Sequence, residues 1–294
     1  MNNEFLLKKK YLNYISKNKY FITNNKSKLR IATYNIHYWT DVWENNKMNK
    51  ILNDIKYINA DIIFLQEVIF GVKYKIKNKY IDTRNIITLL EKMDYFVIFC
   101  NTLPTWYNGI YGNMMCIKKK YKKNIEITSY TFPKSKKSYI SSRIINKKET
   151  RCYIKLNFLN FIIIGTHLDV YDEKERKKQI NHIIKLVNEK KYKNKKIIIL
   201  GDFNTTDISQ YKDKIIKKNI LKHVFNNNYY QMNNNSIQNI YKQKFKSATI
   251  SLNINLTVWS GIQSDYIFTK RIKNIYPQIL YTNSSDHLPL IIDI

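Results

Sequence analysis

The chain has 294 residues, 44% of them hydrophobic, enough to bury the core of one large globular domain or two small ones. Its 51 Lys and Arg outnumber 22 Asp and Glu, and the formal net charge of +29 favours polyanionic partners, nucleic acid or an anionic membrane surface, over acidic ones. No apolar stretch approaches the length of a membrane span, and the start Met-Asn-Asn-Glu-Phe-Leu-Leu-Lys-Lys-Lys has no continuous apolar core of a secretory signal.

Residues 1–28 are rich in Lys and Asn and read as a basic N-terminal extension, partly helical, before a domain over 29–294. The run 29–36 predicts a strand. Met48, Ile51, Leu52, Ile55 and Ile58 recur at helical spacing, and the apolar run 60–65 predicts a buried strand ending at Glu67. A helix over 82–93 and a strand over 95–100 follow, with further strands at 113–117 and 125–132. Residues 151–158 and 161–165 predict a hairpin turning at Asn160. The segment 173–189 predicts an amphipathic helix carrying Ile180, Ile183, Ile184 and Val187 on one face. A buried strand over 196–200 runs into Gly201-Asp202. Residues 205–262 hold Asn runs and little period, which predicts long loops and short helices, and strands at 265–269 and 288–292 close the pattern. Strands neighbouring one another in sequence fit two sheets packed face to face with helices outside, rather than one doubly wound sheet.

The surplus charge is nearly all Lys, since Arg stands only at 30, 84, 143, 151, 176 and 271. Asn, Ile and Tyr are abundant, while Gly (6) and Pro (4) are scarce. A strongly AT-biased genome writes that profile on any surface, so the charge is either a footprint for polyanions or compositional drift. The runs 118–123 and 134–148 are the candidates for a footprint. Cys100, Cys116 and Cys152 are odd in number and widely spaced. They read as reduced thiols in an intracellular protein of cytoplasm or nucleus, not as a disulfide framework or zinc site.

The chemistry sits where strands end. Glu67 at the mouth of a buried strand suits a hard cation, or is a strand-end charge facing water. Asn35 ends another strand. Asp202 and Asn204, two apart after Ile197-Ile198-Ile199-Leu200-Gly201, share a direction: an Asp able to align water and an amide able to hold a phosphoryl oxygen, or an Asx turn. His167 follows Ile162-Ile163-Ile164-Gly165-Thr166 and His287 stands between Asp286 and Leu288-Pro289. Each has a candidate carboxylate orienter, Asp265 for His167 and Asp286 or Asp202 for His287. His37 reaches at most the rim, and His182 and His223 are given no role. Trp106, Tyr107 and Trp259 are candidates to stack bases or are plain rim and core.

Taken in order, Thr-x-Asn at 33–35, Gln-Glu at 66–67, Thr-His-Leu at 166–168, Gly-Asp-Phe-Asn at 201–204, Asp-Tyr-Ile at 265–267 and Ser-Asp-His-x-Pro at 285–289 resemble the endonuclease/exonuclease/phosphatase superfamily, the deoxyribonuclease-I-like fold. Arg176, Gln179 and Glu149-Thr150-Arg151 resemble family positions too. The resemblance runs from about Leu29 to Ile294. It implies a four-layer α/β sandwich, two packed and mostly antiparallel sheets flanked by helices, acting as a monomer. It implies Mg²⁺ or Mn²⁺ at Glu67 with Asn35 nearby, Asp202 positioning water and Asn204 holding phosphate, with Arg151 approaching the phosphate. It further implies His287 acting at phosphorus beside Asp286, and His167 with Asp265 neutralising an oxyanion.

The chain lacks the Asn-Val-x-Gly-x-Arg stretch of abasic-site endonucleases. Gln263-Ser264-Asp265-Tyr266 stands where inositol polyphosphate phosphatases have Trp-Cys-Asp-Arg. The nearest likeness is to tyrosyl-DNA phosphodiesterases and deadenylases, which implies a phosphodiesterase acting on nucleic acid. The alternatives are a phosphoinositide or sphingomyelin phosphohydrolase, favoured by an apolar membrane-binding hairpin near 103–111, and a catalytically inactive nucleic-acid-binding module.

Overall fold

The computed structural model describes residues 3–18, 22, 29–106, 109–133, 150–212, 214–252 and 256–294. Helix α1 spans Asn3–Lys17, strand β1 Arg30–Asn35 and helix α2 Met48–Ile58. Strands β2 Ile62–Phe70, β3 Lys73–Ile76 and β4 Lys79–Asp82, helix α3 Ile86–Lys92, and strands β5 Tyr95–Trp106 and β6 Gly109–Lys118 follow. Next come β7 Ile125–Thr131, β8 Cys152–Phe158, β9 Phe161–His167, α4 Glu173–Val187 and β10 Lys196–Asp202. Helices α5 Lys214–His223, α6 Tyr229–Asn233 and α7 Ser236–Lys242 precede strands β11 Lys246–Ser247, β12 Asp265–Lys270, β13 Tyr276–Ile279 and β14 Leu290–Asp293.

The strands form two six-stranded sheets, ordered β13-β14-β1-β2-β6-β5 and β11-β12-β10-β9-β8-β7, and the hairpin β3-β4. Each large sheet is built the same way. A single parallel pair lies at its centre, β1 with β2 and β9 with β10, and the other pairings are antiparallel. The crossovers are α2 and α4, so each sheet is a βαβ unit widened by hairpins.

Alternation along the central strands sorts the apolar residues into three layers. Ile31, Ile62, Phe64, Ile163, Ile198 and Leu200 form the core between the sheets. Ala32, Ile63 and Leu65 face outward, under Ile51, Leu52, Ile55 and Ile58 of α2. Ile162, Ile164, Ile197 and Ile199 pack under Ile180, Ile183 and Val187 of α4 and Ile237 and Ile240 of α7. The result is helix, sheet, sheet, helix, the expected four layers. The sheets meet closely at Gly165, where an added Cβ would lie 2.3 Å from the Phe64 ring. Cys100, Cys116 and Cys152 are free and buried.

Three features depart from the sequence pattern. The hairpin β3-β4 turns on Lys77 and Asn78, both with positive φ (43° and 65°), without the glycine that usually marks such a turn. Strand β13 contains Pro277, which argues against a strand in the interior of a sheet, but β13 is an edge. Residues 3–17, expected as part of an extension, form a helix whose Tyr11 and Ile15 are buried.

Candidate active site

The topology gathers the motif residues at one edge. β1 and β2 are parallel, as are β9 and β10, so Asn35, His167 and Asp202 stand at strand carboxyl ends, where open α/β sheets place their ligands; Glu67, expected to end its strand, instead lies within β2, one residue past its pairing with β1 at Gln66, and so at the same edge. β12 runs antiparallel to β10 and begins there, with Asp265 paired to Asp202. β14 runs antiparallel to β1, which brings the preceding Ser285-Asp286-His287 to the same edge. That segment is held by a loop: Leu288 N donates to Thr257 O at 2.8 Å, and Trp259 N to Asp286 O at 3.1 Å.

Backbone strain marks two of these positions. The register of β2 against β6 shifts between Leu65 and Val68, and within that bulge Glu67 adopts a φ of 58°. Bulges re-aim side chains beside functional sites, and a non-glycine residue in this region carries a conformational cost. Gly201 has a φ of +139°, and a Cβ there would lie 1.8 Å from Thr166 O, so no other residue fits between β9 and Asp202.

Asp202 is the hub. Its Oδ2 accepts from Asn35 Nδ2 at 3.1 Å and its Oδ1 from the Asn204 amide at 2.8 Å. The same Asn35 nitrogen donates to Glu67 Oε1 at 3.1 Å, and Asn35 Oδ1 accepts from His37 N. Asp202 Oδ2 also lies 3.6 Å from His167 Nε2 and 3.8 Å from His287 Nε2. Burial, then the charge of Asp265, lift the Asp202 carboxyl to about 7, with His287 and the hydrogen bonds pulling the other way. A carboxyl so placed can accept a proton near neutral pH.

The two histidines differ. Burial pulls His287 down, but Asp265, Asp286 and Asp202 outweigh it and hold its pKa well above 6.5. His287 Nδ1 is 2.8 Å from Asp265 Oδ2, which also accepts from Thr257 Oγ1 at 2.6 Å and Ser264 Oγ at 3.2 Å. Asp286 Oδ1 is farther, 3.9 Å from His287 Nε2 and 3.8 Å from His37 Nδ1. His167 is pushed well below 6.5 by burial and by the charges of Arg151 and His287. The expected pairing of His167 with Asp265 is therefore corrected: Asp265 serves His287, and the neighbours of His167 are Arg151 Nη1 (3.1 Å) and Asp202. Asp202 and Asp265 are register partners on β10 and β12, and that register carries Asp265 toward His287.

The donor set at this edge fits a metal at one place. Glu67 Oε2 is buried and has no hydrogen-bond partner, while Oε1 is held by Asn35. An orphaned carboxylate oxygen at a strand mouth fits a hard divalent cation. Asp202, Asp265 and His287 also bring ligand atoms within 4.8 Å of one another, but His287 Nδ1 is already bound to Asp265, which suits proton handling better.

Asn204 turns its amide nitrogen to Leu168 O at 3.0 Å. It lines, with His287, Ser264, His223, Val170, Val224 and Val258, a cleft of about 130 Å³. Arg176 and Gln179 support that wall from beneath. Arg176 Nη1 donates to Asp169 O and Val170 O, its Nη2 to Val224 O, and Gln179 Oε1 accepts from Asp169 N. Lys118, Lys119 and Lys120 bond Met93 O, Glu91 O and Asp61, at the strand ends opposite the site, and 134–148 lies outside the described residues. So does Tyr107; Trp259 packs partly buried against the inter-sheet core. Sequence reasoning missed Thr257. Thr257 sits in a stretch without period, and Ser285, whose Oγ donates to Asn35 O at 2.8 Å, was read only as part of a motif.

Two packed sheets with acids and imidazoles gathered at one strand edge define a class, the α/β-sandwich phosphoesterases. Residues 32–287 match the Endonuclease/Exonuclease/phosphatase family, and the chain belongs to it. Members of this family are hydrolases acting on phosphoester bonds. Among solved structures, the fold is similar to an endonuclease/exonuclease/phosphatase from Beutenbergia cavernae DSM 12333 (TM-score 0.62, 16% identity, covering 90% of this chain and 71% of that one). It is similar to the human Nocturnin catalytic domain with bound sulfate anion (0.56, 18%, 90% and 92%). It is also similar to ANGEL2, a 2′,3′-cyclic phosphatase (0.55, 18%, 90% and 94%). No curated protein matches the sequence. Among the described residues no helix is long and apolar enough to cross a membrane.

Proposed function

We infer that the protein is a Mg²⁺- or Mn²⁺-dependent phosphodiesterase acting on nucleic acid. The observation that carries the reading is Asp202, one buried carboxyl lifted to about 7 and shared between Asn35, Asn204 and two histidines. Asp202 takes the proton of the attacking water. His287, held charged by Asp265 and Asp286, faces the phosphoryl oxygens and stabilises their growing charge. Neutral His167, against Arg151, offers the phosphate a hydrogen bond, and Arg151 lends its charge from behind. Asn204, fixed by Leu168 O, sets the phosphate beside Asp202. Glu67 would hold the cation through Oε2, and Asn35 has a second lone pair on its amide oxygen to offer it. When bound, the cation supplies Lewis-acid neutralisation of phosphate charge.

Nucleic acid is favoured by the net charge of +29, and the structural neighbours include a 2′,3′-cyclic phosphatase. The test is a panel with Mg²⁺: single-stranded, duplex and 5′-tyrosyl DNA, RNA with linear and cyclic ends, phosphoinositides and sphingomyelin. Turnover of a nucleic-acid substrate that EDTA abolishes is the expected result. Turnover of lipid phosphates alone, or full activity in EDTA, overturns the reading.

A further inference from the structure

A pocket of about 390 Å³, a size usual for ligand sites, lies at the end of the sheets opposite the active site. Phe161 and Lys196, which line it, are register partners at the start of β9 and β10, and His167 and Asp202 are partners at the far end of the same pair. That length of strand sets the pocket about 20 Å from the site.

Three basic segments far apart in sequence, 118–123, 190–196 and 270–273, each contribute one lysine to this pocket: Lys120, Lys196 and Lys273. Rings stand between them. Lys196 Nζ lies 5.2 Å from the centre of the Phe161 ring and Lys120 Nζ 4.7 Å from that of Tyr121. Tyr121 is fixed in place, edge-on to Phe158 at 4.8 Å, with its hydroxyl donating to Asp61 Oδ1 at 3.1 Å. Leu159, in the turn between β8 and β9, is 62% exposed at the rim. Asp61 neutralises Lys120 at 2.7 Å, but among the described residues neither Lys196 nor Lys273 forms an ion pair, and no Asp or Glu lines the pocket. Further cations are pinned at its border: Lys195 Nζ donates to Leu159 O at 2.6 Å, and Arg271 Nε to Lys195 O at 2.7 Å. Lysines left by compositional drift scatter over all faces; these converge on two aromatic rings.

We propose that this pocket is a second contact site for single-stranded nucleic acid, one base resting against Phe161, Tyr121 and Leu159 while Lys196 and Lys273 take the adjoining phosphates. Rings interleaved with cations form a sequence-tolerant platform for an unpaired strand, whose bases present the faces that a duplex conceals. A strand anchored there gains in local concentration at the active site.

The test is fluorescence anisotropy of a labelled oligothymidylate of about 20 nucleotides, in EDTA, across a salt series. In the full-length protein, Lys196→Glu with Lys273→Glu weakens binding about tenfold and lowers the log–log salt slope by about 1. Lys56→Glu with Lys75→Glu, the same change of charge on α2 and β3, weakens it less than about twofold. Phe161→Leu keeps an apolar side chain but removes the ring; it weakens binding about fivefold with the salt slope unchanged. Equal weakening by the two lysine pairs assigns binding to net charge alone and overturns the proposal. So does wild-type affinity in Phe161→Leu, or a wild-type protein that does not bind the strand. Hydrolysis is not read, so the outcome is independent of the phosphodiesterase reading.

Discussion

Replacing Asp265 by Asn isolates what charge does for His287. The amide oxygen can stand where Oδ2 stands, and Thr257, Ser264 and His287 Nδ1 can all donate to it as before. The tautomer is preserved, because the proton on Nδ1 keeps its acceptor. What is lost is a negative charge 2.8 Å from the imidazole. At an effective dielectric of about 20, two unit charges at that separation are worth about 6 kcal/mol. Asp202 and Asp286 remain at 3.8 and 3.9 Å and retain part of the field. A net loss of about 3 kcal/mol is therefore expected, about a hundredfold in rate. The new amide nitrogen takes the place of Oδ1, which has no partner, so about 1–3 kcal/mol of stability is lost as well. Steady-state kinetics at saturating Mg²⁺, with circular dichroism to confirm folding, measures both. A folded Asp265→Asn enzyme within fivefold of wild-type kcat refutes the assignment of Asp265 as the charge that sustains His287, as does a loss confined to KM.

Asp202→Asn and His287→Ala each abolish hydrolysis with the fold intact; retention of more than about a tenth of the rate in either removes that residue from the mechanism. Glu67→Gln raises the Mg²⁺ concentration needed for half-maximal activity, read from a metal titration, and an unchanged titration places the cation elsewhere. His167, buried with its pKa depressed below 6.5, binds more protons unfolded than folded. Its contribution is complete above about 6.5 and is lost as pH falls through that value toward the folded pKa, so His167→Gln flattens the fall in melting temperature between about pH 7 and 5. Parallel slopes for the two proteins contradict this. Arg30 and Asp293 form a buried bidentate pair at 2.7 and 2.8 Å, about 17 Å along β1 from Asn35. Asp293→Ala costs about 3–5 kcal/mol in denaturant unfolding while leaving kcat unchanged at low temperature.

The motif residues were legible because most stand at or beside the end of an apolar strand, and in a βαβ unit such ends fall on one edge. Which residues bond there was not legible. Sequence assigned Asp265 to His167 and Asp286 or Asp202 to His287; the actual partner of His287, Asp265, is set by the β10–β12 register and by the Thr257 loop, both long-range facts. The four layers followed from strands adjacent in sequence, whereas β13 was hidden by a proline that only an edge strand tolerates. The docking of α1 was hidden for another reason: in a chain this rich in Lys, one buried Tyr among many leaves no pattern.

The two sheets are not equivalent in chain order. Strands β7 to β12 occupy one uninterrupted stretch, whereas β13 and β14 return to pair beside β1 after all the others have passed. During synthesis the second sheet can close while the first still has a bare edge along β1. The nascent protein then carries Asp202 and His167 already paired across β9 and β10, but lacks the imidazole at 287 and the strand that seats it. Under the proposed mechanism, a ribosome-bound chain that has not yet emerged past residue 287 would lack the imidazole that faces the phosphoryl oxygens.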